Sequence, residues 1–156
     1  MTPYDSNNWL FVKRIVRFGD TDAAGVMHFH QLFRWSHEAW EESLGKFGVN
    51  YEDIFPSSKD LEYQLLVALP IIHCEADFWR PIYTGNNLVI ELVPRKLDHS
   101  SFEVKAKFQH VGDNVAIALL RHCAINIKSR ERSPLPESID RWLEASSANK
   151  GISPLA

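Results

Sequence analysis

Cysteine and long apolar runs are scarce in this 156-residue sequence. It holds two cysteines, Cys74 and Cys123, and no apolar stretch long enough to span a bilayer. Two cysteines without clustered histidines favour buried thiols over a disulfide framework or a zinc site. Residues 1–8 lack the basic and apolar regions of a signal peptide. We therefore expect a cytoplasmic protein without a membrane partner.

An excess of positive charge is lacking as well. The formal net charge is −3, so no bulk attraction draws the chain to nucleic acid, and no such partner is expected. No His-Glu-x-x-His pattern occurs, and His28 and His30 have no histidine four residues away. We therefore expect no metal site.

Residues 31–47 have the periodicity of an amphipathic helix. The face expected to be buried carries Leu32, Phe33, Ser36, Ala39, Trp40, Ser43, Leu44 and Phe47. The opposite, solvated face carries Arg34, Glu38, Glu41 and Glu42, with Arg34 and Glu38 at ion-pair spacing. Small residues in the buried stripe would let the helix lie close to a sheet. Gly48 should end the helix.

Strand-like segments flank this helix. One covers residues 9–18, and four more are expected at 65–78, 87–95, 101–110 and 115–127. The later connections are short, which favours antiparallel pairing. One long helix followed by a meandering sheet predicts an α+β architecture. A short helix is expected at 137–145, with a frayed tail at 146–156.

Two carboxylates stand in a tight turn between the first strand and the helix. The segment reads Gly19-Asp20-Thr21-Asp22-Ala23-Ala24-Gly25-Val26. A helix N-terminus offers unpaired N–H groups and a partial positive charge, so a carboxylate beside it is well placed for acyl transfer. The same residues also suit an ordinary turn or helix cap. Spacing alone leaves both interpretations open.

The flanks of the turn resemble the hotdog-fold acyl-CoA thioesterases of the 4-hydroxybenzoyl-CoA thioesterase type. Their signature begins Asp-x-Asp-x-x-Gly-Val and leads into an aromatic-rich helix, as at residues 20–48. Segments 68–81, 121–125 and 133–136 are similar to the cyanobacterial members that hydrolyse 1,4-dihydroxy-2-naphthoyl-CoA. The resemblance covers about residues 10–137. It implies one hotdog domain over 1–156, with a core at about 9–137 and about five antiparallel strands wrapped around the helix.

This resemblance also implies roles for the residues of the turn. Asp22 would be the catalytic carboxylate, acting as general base or as nucleophile, and the sequence does not choose between them. Asp20 and Gly25 would support the turn. A backbone N–H near Phe29 would polarise the thioester carbonyl.

Substrate contacts are indicated less directly. His37 lies at the edge of the helical face and is a candidate acyl contact, although packed or solvated histidines are commoner. The resembled family builds its site between protomers of a dimer or tetramer, so Leu69 and Pro70 of a neighbour should line the pocket. Phe78 and Trp79 are acyl-pocket candidates too, but alternation along a strand favours core packing for them.

Coenzyme A carries phosphates, and Lys128, Arg130 and Arg132 cluster after the last strand as candidate contacts. A solvated charge run is the alternative. Because coenzyme A belongs to the substrate, no separate cofactor is expected. The resemblance implies hydrolysis of an aromatic acyl-CoA in quinone biosynthesis. The alternatives are a 4-hydroxybenzoyl-CoA or fatty acyl-CoA thioesterase and a non-catalytic acyl-CoA-binding module.

Overall fold

A five-stranded antiparallel sheet curves around one long helix, as predicted for an α+β fold. The computed structural model describes residues 8–56 and 65–148. The sheet has the order β1-β4-β5-β6-β3, and β2 pairs with β7 in a small second sheet. The strands are β1 Phe11–Ile15, β2 Val67–Ala68, β3 Ile71–Phe78, β4 Asn87–Lys96, β5 Ser101–His110, β6 Asp113–Cys123 and β7 Ile125–Asn126. The helices are α1 Phe29–Phe47 and α2 Glu137–Ala148.

Two strands are interrupted where continuous strands are predicted. The segment 65–78 divides into β2 and β3 around Leu69 and Pro70, because proline has no N–H to donate to a ladder. The segment 115–127 divides at Ala124, whose N–H donates to the carbonyl of Ser100 at 2.7 Å. Each interruption carries the chain from the main sheet into the β2–β7 pair.

The first strand is shorter than its predicted range of 9–18. It is limited to β1, because the chain forms single 3₁₀ turns at Asn8–Leu10 and Phe18–Asp20. The second of these turns leads directly into the segment that carries the two carboxylates. β1 therefore ends three residues before that 3₁₀ turn begins to redirect the chain.

Helix α1 begins at Phe29, two residues before the predicted start. His28 caps it, since the His28 Nδ1 accepts the N–H of His30 at 3.3 Å. The helix ends as predicted at Gly48, which has a φ of 104° and donates its N–H to the Leu44 carbonyl at 3.1 Å. The predicted pair of Arg34 with Glu38 is present at 3.0 Å.

The buried face of α1 is rotated slightly from the predicted one. It consists of Gln31, Leu32, Trp35, Ser36, Ala39, Trp40, Ser43 and Leu44, pairs of neighbours that recur every four residues. Phe33 and Phe47 are only half-buried, although burial is predicted for both. Glu38 and Glu42 are half-buried rather than fully solvated, because both approach Arg14 of β1.

Small side chains let the helix and the sheet approach closely. Ser36, Ala39 and Ser43 of α1 are almost fully buried, as are Ala116 and Ala118 on the inner face of β6. Larger residues fill the rest of the inner sheet face, namely Leu88, Ile90, Leu92, Phe102, Val104 and Phe108. The core thus lies between α1 and strands β4 to β6.

Helix α2 closes one end of this core. It starts where predicted and extends to Ala148. Trp142 is buried and donates its Nε1–H to Ser43 Oγ at 3.0 Å, and Trp9 donates its Nε1–H to Ser146 Oγ at 3.1 Å. The core therefore continues past residue 137 into α2, contrary to the prediction. The prediction of a frayed tail from residue 146 is wrong for residues 146–148, which belong to α2. Residues 149–156 lie outside the described range.

The two cysteines differ in environment. Both lie in strands and both are free, but only Cys123 is buried. The prediction of a buried Cys74 is wrong because β3 is an edge strand that is exposed along nearly its whole length. Neither α1 nor α2, the helices of the described part, has the length and apolar character needed to cross a membrane.

Replacement of Gly48 by alanine should destabilise the fold by about 1 kcal/mol, because an L-residue is strained in the left-handed region. Gly19→Ala is the control: an added Cβ there meets nothing within 4 Å, and Gly19 has no positive φ. Both changes restrict the unfolded chain alike, so their difference isolates the strain. Urea unfolding measures it, and equal midpoints would contradict the interpretation.

Candidate active site

The turn that carries the two carboxylates is closed by its own backbone. The Asp22 N–H donates to the Val26 carbonyl at 2.8 Å, and the His28 N–H donates to the Asp20 carbonyl at 2.8 Å. Gly25 has a φ of 80° and returns its N–H to the Asp22 carbonyl at 3.0 Å. That φ favours glycine, so Gly25 is the residue that lets the chain reverse here.

The carboxylates of Asp20 and Asp22 face different surroundings. Asp20 Oδ2 accepts the backbone N–H of Arg17 at 2.8 Å, which ties the turn back to the preceding 3₁₀ turn. Asp22 Oδ1 accepts the N–H of Ala24 at 2.8 Å. No hydrogen bond to Asp22 Oδ2 is made in the described part of the chain, and Asp22 is exposed. Asp20 thus holds the turn, while Asp22 keeps one oxygen available.

The first turn of α1 leaves the Phe29 N–H without an acceptor in the described part of the chain. The His30 N–H is accepted by His28 Nδ1, and the Gln31 N–H by the His28 carbonyl at 3.0 Å. The Phe29 N–H finds no acceptor within residues 8–56 and 65–148, and the first N–H groups of a helix have no intrahelical partner. Phe29 is therefore placed to donate to an external oxygen.

A cavity of about 440 Å³ is lined by Asp22 and Phe29, the two residues that carry these groups. Its walls are Asp22, Val26, Met27, Phe29, Phe78, Trp79, Arg80, Pro81 and Ile82. The Met27 N–H donates to the Ile82 carbonyl at 2.8 Å, which joins the carboxylate turn to the segment after β3. A carboxylate oxygen, an open N–H and apolar walls in one cavity suit hydrolysis of an ester or thioester.

Phe78 and Trp79 are not packed in the core, contrary to the prediction. Both side chains are exposed and line the Asp22 cavity, at the end of a strand that forms the edge of the sheet. Arg80, Pro81 and Ile82 also line the cavity, and the sequence analysis assigned them no role. Two adjacent aromatic residues at a strand end could have indicated this cavity. Successive residues of a strand point to opposite faces, so both cannot pack into one core.

The other predicted pocket residues cluster elsewhere in the same chain. The His122 Nδ1–H donates to the Leu69 carbonyl at 2.9 Å, and the ring of His37 stacks on His122 with centroids 5.9 Å apart. Burial lowers the pKa of His122 to about 4 and also lowers the pKa of His37. His122 is therefore neutral near pH 7, with its proton on Nδ1.

This cluster lies at the opposite end of β3 from the Asp22 cavity. β3 spans eight residues, and an extended strand rises about 3.4 Å per residue, so its two ends are about 24 Å apart. Leu69 and Pro70 precede the strand, whereas Phe78 ends it beside Asp22. A single chain therefore does not bring Leu69, Pro70 or His37 to Asp22.

The predicted cationic cluster lies at that same distant end. It follows β7, and the Ile127 N–H donates to the Leu66 carbonyl at 2.9 Å. Lys128 and Arg130 are exposed, while Arg132 approaches Asp98 at 3.7 Å. No group of three His, Cys, Asp or Glu side chains that could hold a metal occurs within residues 8–56 and 65–148.

A family model described as the Thioesterase-like superfamily matches residues 16–143, which include the turn, α1 and every wall of the cavity. The chain belongs to this thioesterase superfamily. The hotdog architecture expected from the resemblance is thereby confirmed.

Among the relatives of this thioesterase chain, a 1,4-dihydroxy-2-naphthoyl-CoA hydrolase from Prochlorococcus marinus is 60% identical over 146 residues, or 94% of each chain. A hydrolase of the same name from Synechococcus sp. (strain WH7803) is 53% identical over 142 residues, covering 91% of this chain and 93% of the other.

Solved structures agree with these sequence relatives. A crystal structure of a protein from Prochlorococcus marinus str. MIT 9313 has a TM-score of 0.87 at 60% identity and covers 90% of this chain and 98% of the other. A 1,4-dihydroxy-2-naphthoyl-CoA thioesterase from Synechocystis has a TM-score of 0.75 at 27% identity and covers 86% of this chain and 94% of the other.

We expect Asp22→Asn to keep the fold and to lower turnover by at least about 10²-fold. The amide oxygen can still accept the Ala24 N–H, so the turn is preserved, but neither a base nor a nucleophile remains. Steady-state thioester hydrolysis, with circular dichroism as the folding check, measures the effect. Near-normal turnover by a folded variant would exclude Asp22 as the reacting carboxylate.

Asp20→Asn is the matched control in the same turn. Its amide oxygen can replace the acceptor of the Arg17 N–H, and Asp20 does not line the cavity. The loss of turnover should therefore be clearly smaller than for Asp22→Asn. Equal losses would mean that the two carboxylates share the role or exchange it.

Proposed function

We propose that this chain hydrolyses 1,4-dihydroxy-2-naphthoyl-CoA to 1,4-dihydroxy-2-naphthoate and coenzyme A in quinone biosynthesis. The observation that carries the proposal is the Asp22 cavity, where a free carboxylate oxygen and an open helix N–H face one apolar space. The named hydrolases at up to 60% identity support this substrate. The protein would work in the cytoplasm, as one hotdog domain per chain and without a separate cofactor.

In this proposal Asp22 Oδ2 is the reacting group. As a general base it takes a proton from water that attacks the thioester carbonyl; the C–S bond then breaks, and the leaving coenzyme A thiolate takes up that proton. As a nucleophile it attacks the carbonyl itself and forms an acyl anhydride as the C–S bond breaks and coenzyme A thiolate leaves; water then hydrolyses the anhydride, which regenerates the carboxylate, and the thiolate takes up the proton released. In both routes the carbonyl oxygen gains negative charge, which the Phe29 N–H stabilises together with the partial positive charge of the helix start. Asp20 and Gly25 hold the turn in position.

We further propose that β3 pairs with β3 of a second copy. β3 is an outer strand of the sheet, and it is exposed along nearly its whole length. Ile71, Ile72 and Phe78 expose large apolar side chains there. An open, apolar edge of this length is an aggregation hazard unless another strand covers it.

The other sheet edge is better protected and is a weaker candidate for pairing. β1 has five residues and carries Lys13 and Arg14. In addition, Lys46 Nζ donates to the Phe11 carbonyl at 2.9 Å, which occupies one acceptor of that edge. Short length and lysine are common means of blocking an edge strand.

Pairing about a two-fold axis completes the Asp22 site. Antiparallel β3 strands place the beginning of one beside the end of the other, so Leu69 and Pro70 of one copy approach Phe78 and Asp22 of its partner. The distance of about 24 Å within one chain is then no obstacle. His37, which packs near Leu69 through His122, would approach the same pocket.

The same pairing would bring the cationic cluster of one copy close to the Asp22 cavity of its partner. Lys128 and Arg130 lie beside Leu66, at the end of the chain's sheet that meets the partner's Asp22 cavity. We propose that Lys128, Arg130 and Arg132 contact the phosphates of coenzyme A across the interface. A homodimer provides two equivalent sites, and a tetramer built from two such dimers keeps both.

Release of free thiol from acyl-CoA substrates tests the function. We expect hydrolysis of 1,4-dihydroxy-2-naphthoyl-CoA with a higher kcat/KM than for 4-hydroxybenzoyl-CoA or octanoyl-CoA. A preference for octanoyl-CoA would contradict the quinone assignment. Binding of acyl-CoA without thiol release would indicate the non-catalytic module instead.

We expect activity to fall on dilution together with the dimer fraction, measured by sedimentation over the same concentrations. A fully active monomer would show that the pocket closes within one chain. Mixing also tests the shared site: Asp22→Asn and Leu69→Arg are each expected to be inactive. Their equimolar mixture should regain about a quarter of wild-type activity, because half of the dimers then hold one intact site.

A further inference from the structure

Three aromatic side chains around the Asp22 cavity are unusually exposed. Phe29 is 63% exposed, Phe78 is 42% exposed and Trp79 is 55% exposed. Aromatic residues of this size normally bury roughly 150–250 Å² each and gain free energy by doing so. Phe29 comes from the start of α1, whereas Phe78 ends β3 and Trp79 follows it directly. All three face the cavity that holds the Asp22 carboxylate.

We infer that Trp79 determines the acyl specificity of this site by stacking its indole on a flat, fused-ring acyl group. The inference rests on the proposed function and adds to it the residue that reads the shape of the acyl group. An indole is the largest flat apolar surface among these walls. It matches a bicyclic ring better than a single ring or a flexible chain, which cannot cover the indole face with one rigid plane.

The backbone around Trp79 is held in place from both sides. The N–H groups of Trp79 and Arg80 both donate to the Val115 carbonyl, at 2.8 and 3.1 Å. Two residues later the Ile82 carbonyl accepts the N–H of Met27, and Ile82 itself is buried. The indole is therefore presented from a fixed segment that is also joined to the Asp22 turn. Such a wall binds without an ordering cost of its own backbone.

Trp79 is distinguished from the two phenylalanines by its position. Phe29 is tied to the reaction through its own N–H, and Phe78 is part of the β3 edge that a second copy would cover. Trp79 follows the strand, and its N–H is already used within the chain. The proposed roles of the helix start and of β3 pairing therefore explain the exposure of Phe29 and Phe78, but they do not explain the exposure of the Trp79 ring.

The test compares three substrates across three variants. The substrates are 1,4-dihydroxy-2-naphthoyl-CoA, benzoyl-CoA and octanoyl-CoA, and the variants are Trp79→Ala, Trp79→Phe and Phe11→Ala. Phe11 is the control, because it is 41% exposed but lies on β1 at the opposite edge of the sheet. Sedimentation and circular dichroism report whether each variant keeps the fold and assembly of the wild type.

For Trp79→Ala we expect KM for the naphthoyl substrate to rise about tenfold with kcat within about twofold. For octanoyl-CoA, kcat/KM should change less than about twofold. Trp79→Phe should lie between the wild type and Trp79→Ala, and Phe11→Ala should match the wild type. An equal loss on all three substrates, or a changed assembly, would assign Trp79 to the interface and overturn the inference. No loss on any substrate would also overturn it.

If the proposed function is wrong, the wild-type protein will not hydrolyse 1,4-dihydroxy-2-naphthoyl-CoA, which distinguishes this outcome from a failure of the inference about Trp79. Calorimetric titration with 1,4-dihydroxy-2-naphthoate and with benzoate then decides on Trp79 without turnover. Weaker binding of the naphthoate by about tenfold in Trp79→Ala, with benzoate little changed, supports the inference, and equal affinity of both proteins for the naphthoate contradicts it.

Discussion

Burial of α1 against the inner face of the sheet is the interaction on which the rest of the structure depends. Its buried residues recur in pairs every four positions, and small side chains such as Ser36, Ala39 and Ala118 permit close approach. This packing places the start of the helix at one rim of the sheet. The carboxylate turn ends there, because the His28 N–H closes it onto the Asp20 carbonyl. Asp22 and Phe29 thus line one cavity as a consequence of where the helix packs.

One edge of the sheet is left exposed in this arrangement. β3 is an outer strand of the sheet, and Cys74, Ile72 and Phe78 on it are exposed. This open strand edge ends at the cavity lined by Asp22, where the proposed substrate pocket lies. A second copy that pairs with β3 would cover this edge and complete the pocket at once, which is a physical reason for a thioesterase of this size to assemble. It also gives a use to Leu69 and Lys128, which one chain holds far from Asp22.

Much of the secondary structure was predictable because the relevant interactions are local. β4 shows alternating burial, and the prediction for β5, which lies between short turns, agrees with the structure at both ends. The end of α1 at Gly48 was predictable from a left-handed cap. The interruptions at Pro70 and Ala124 were missed. They arise because β2 pairs with β7 across more than fifty residues of sequence, and periodicity within a segment carries no information about that pairing.

The backbone path of the carboxylate turn is set by residues that are close together in the sequence. The hydrogen bonds of the turn join residues that lie between Asp20 and His28, so the pattern could be recognised in the sequence. This pattern carried the resemblance to thioesterases. The residues that line the cavity opposite Asp22 depend instead on long-range packing. Trp79 and Ile82 reach it from more than fifty residues away through the order of strands in the sheet. Local periodicity specifies which face of a strand is apolar. Whether that face packs in the core or lines an open cavity depends on the position of the strand in the sheet, which periodicity does not specify.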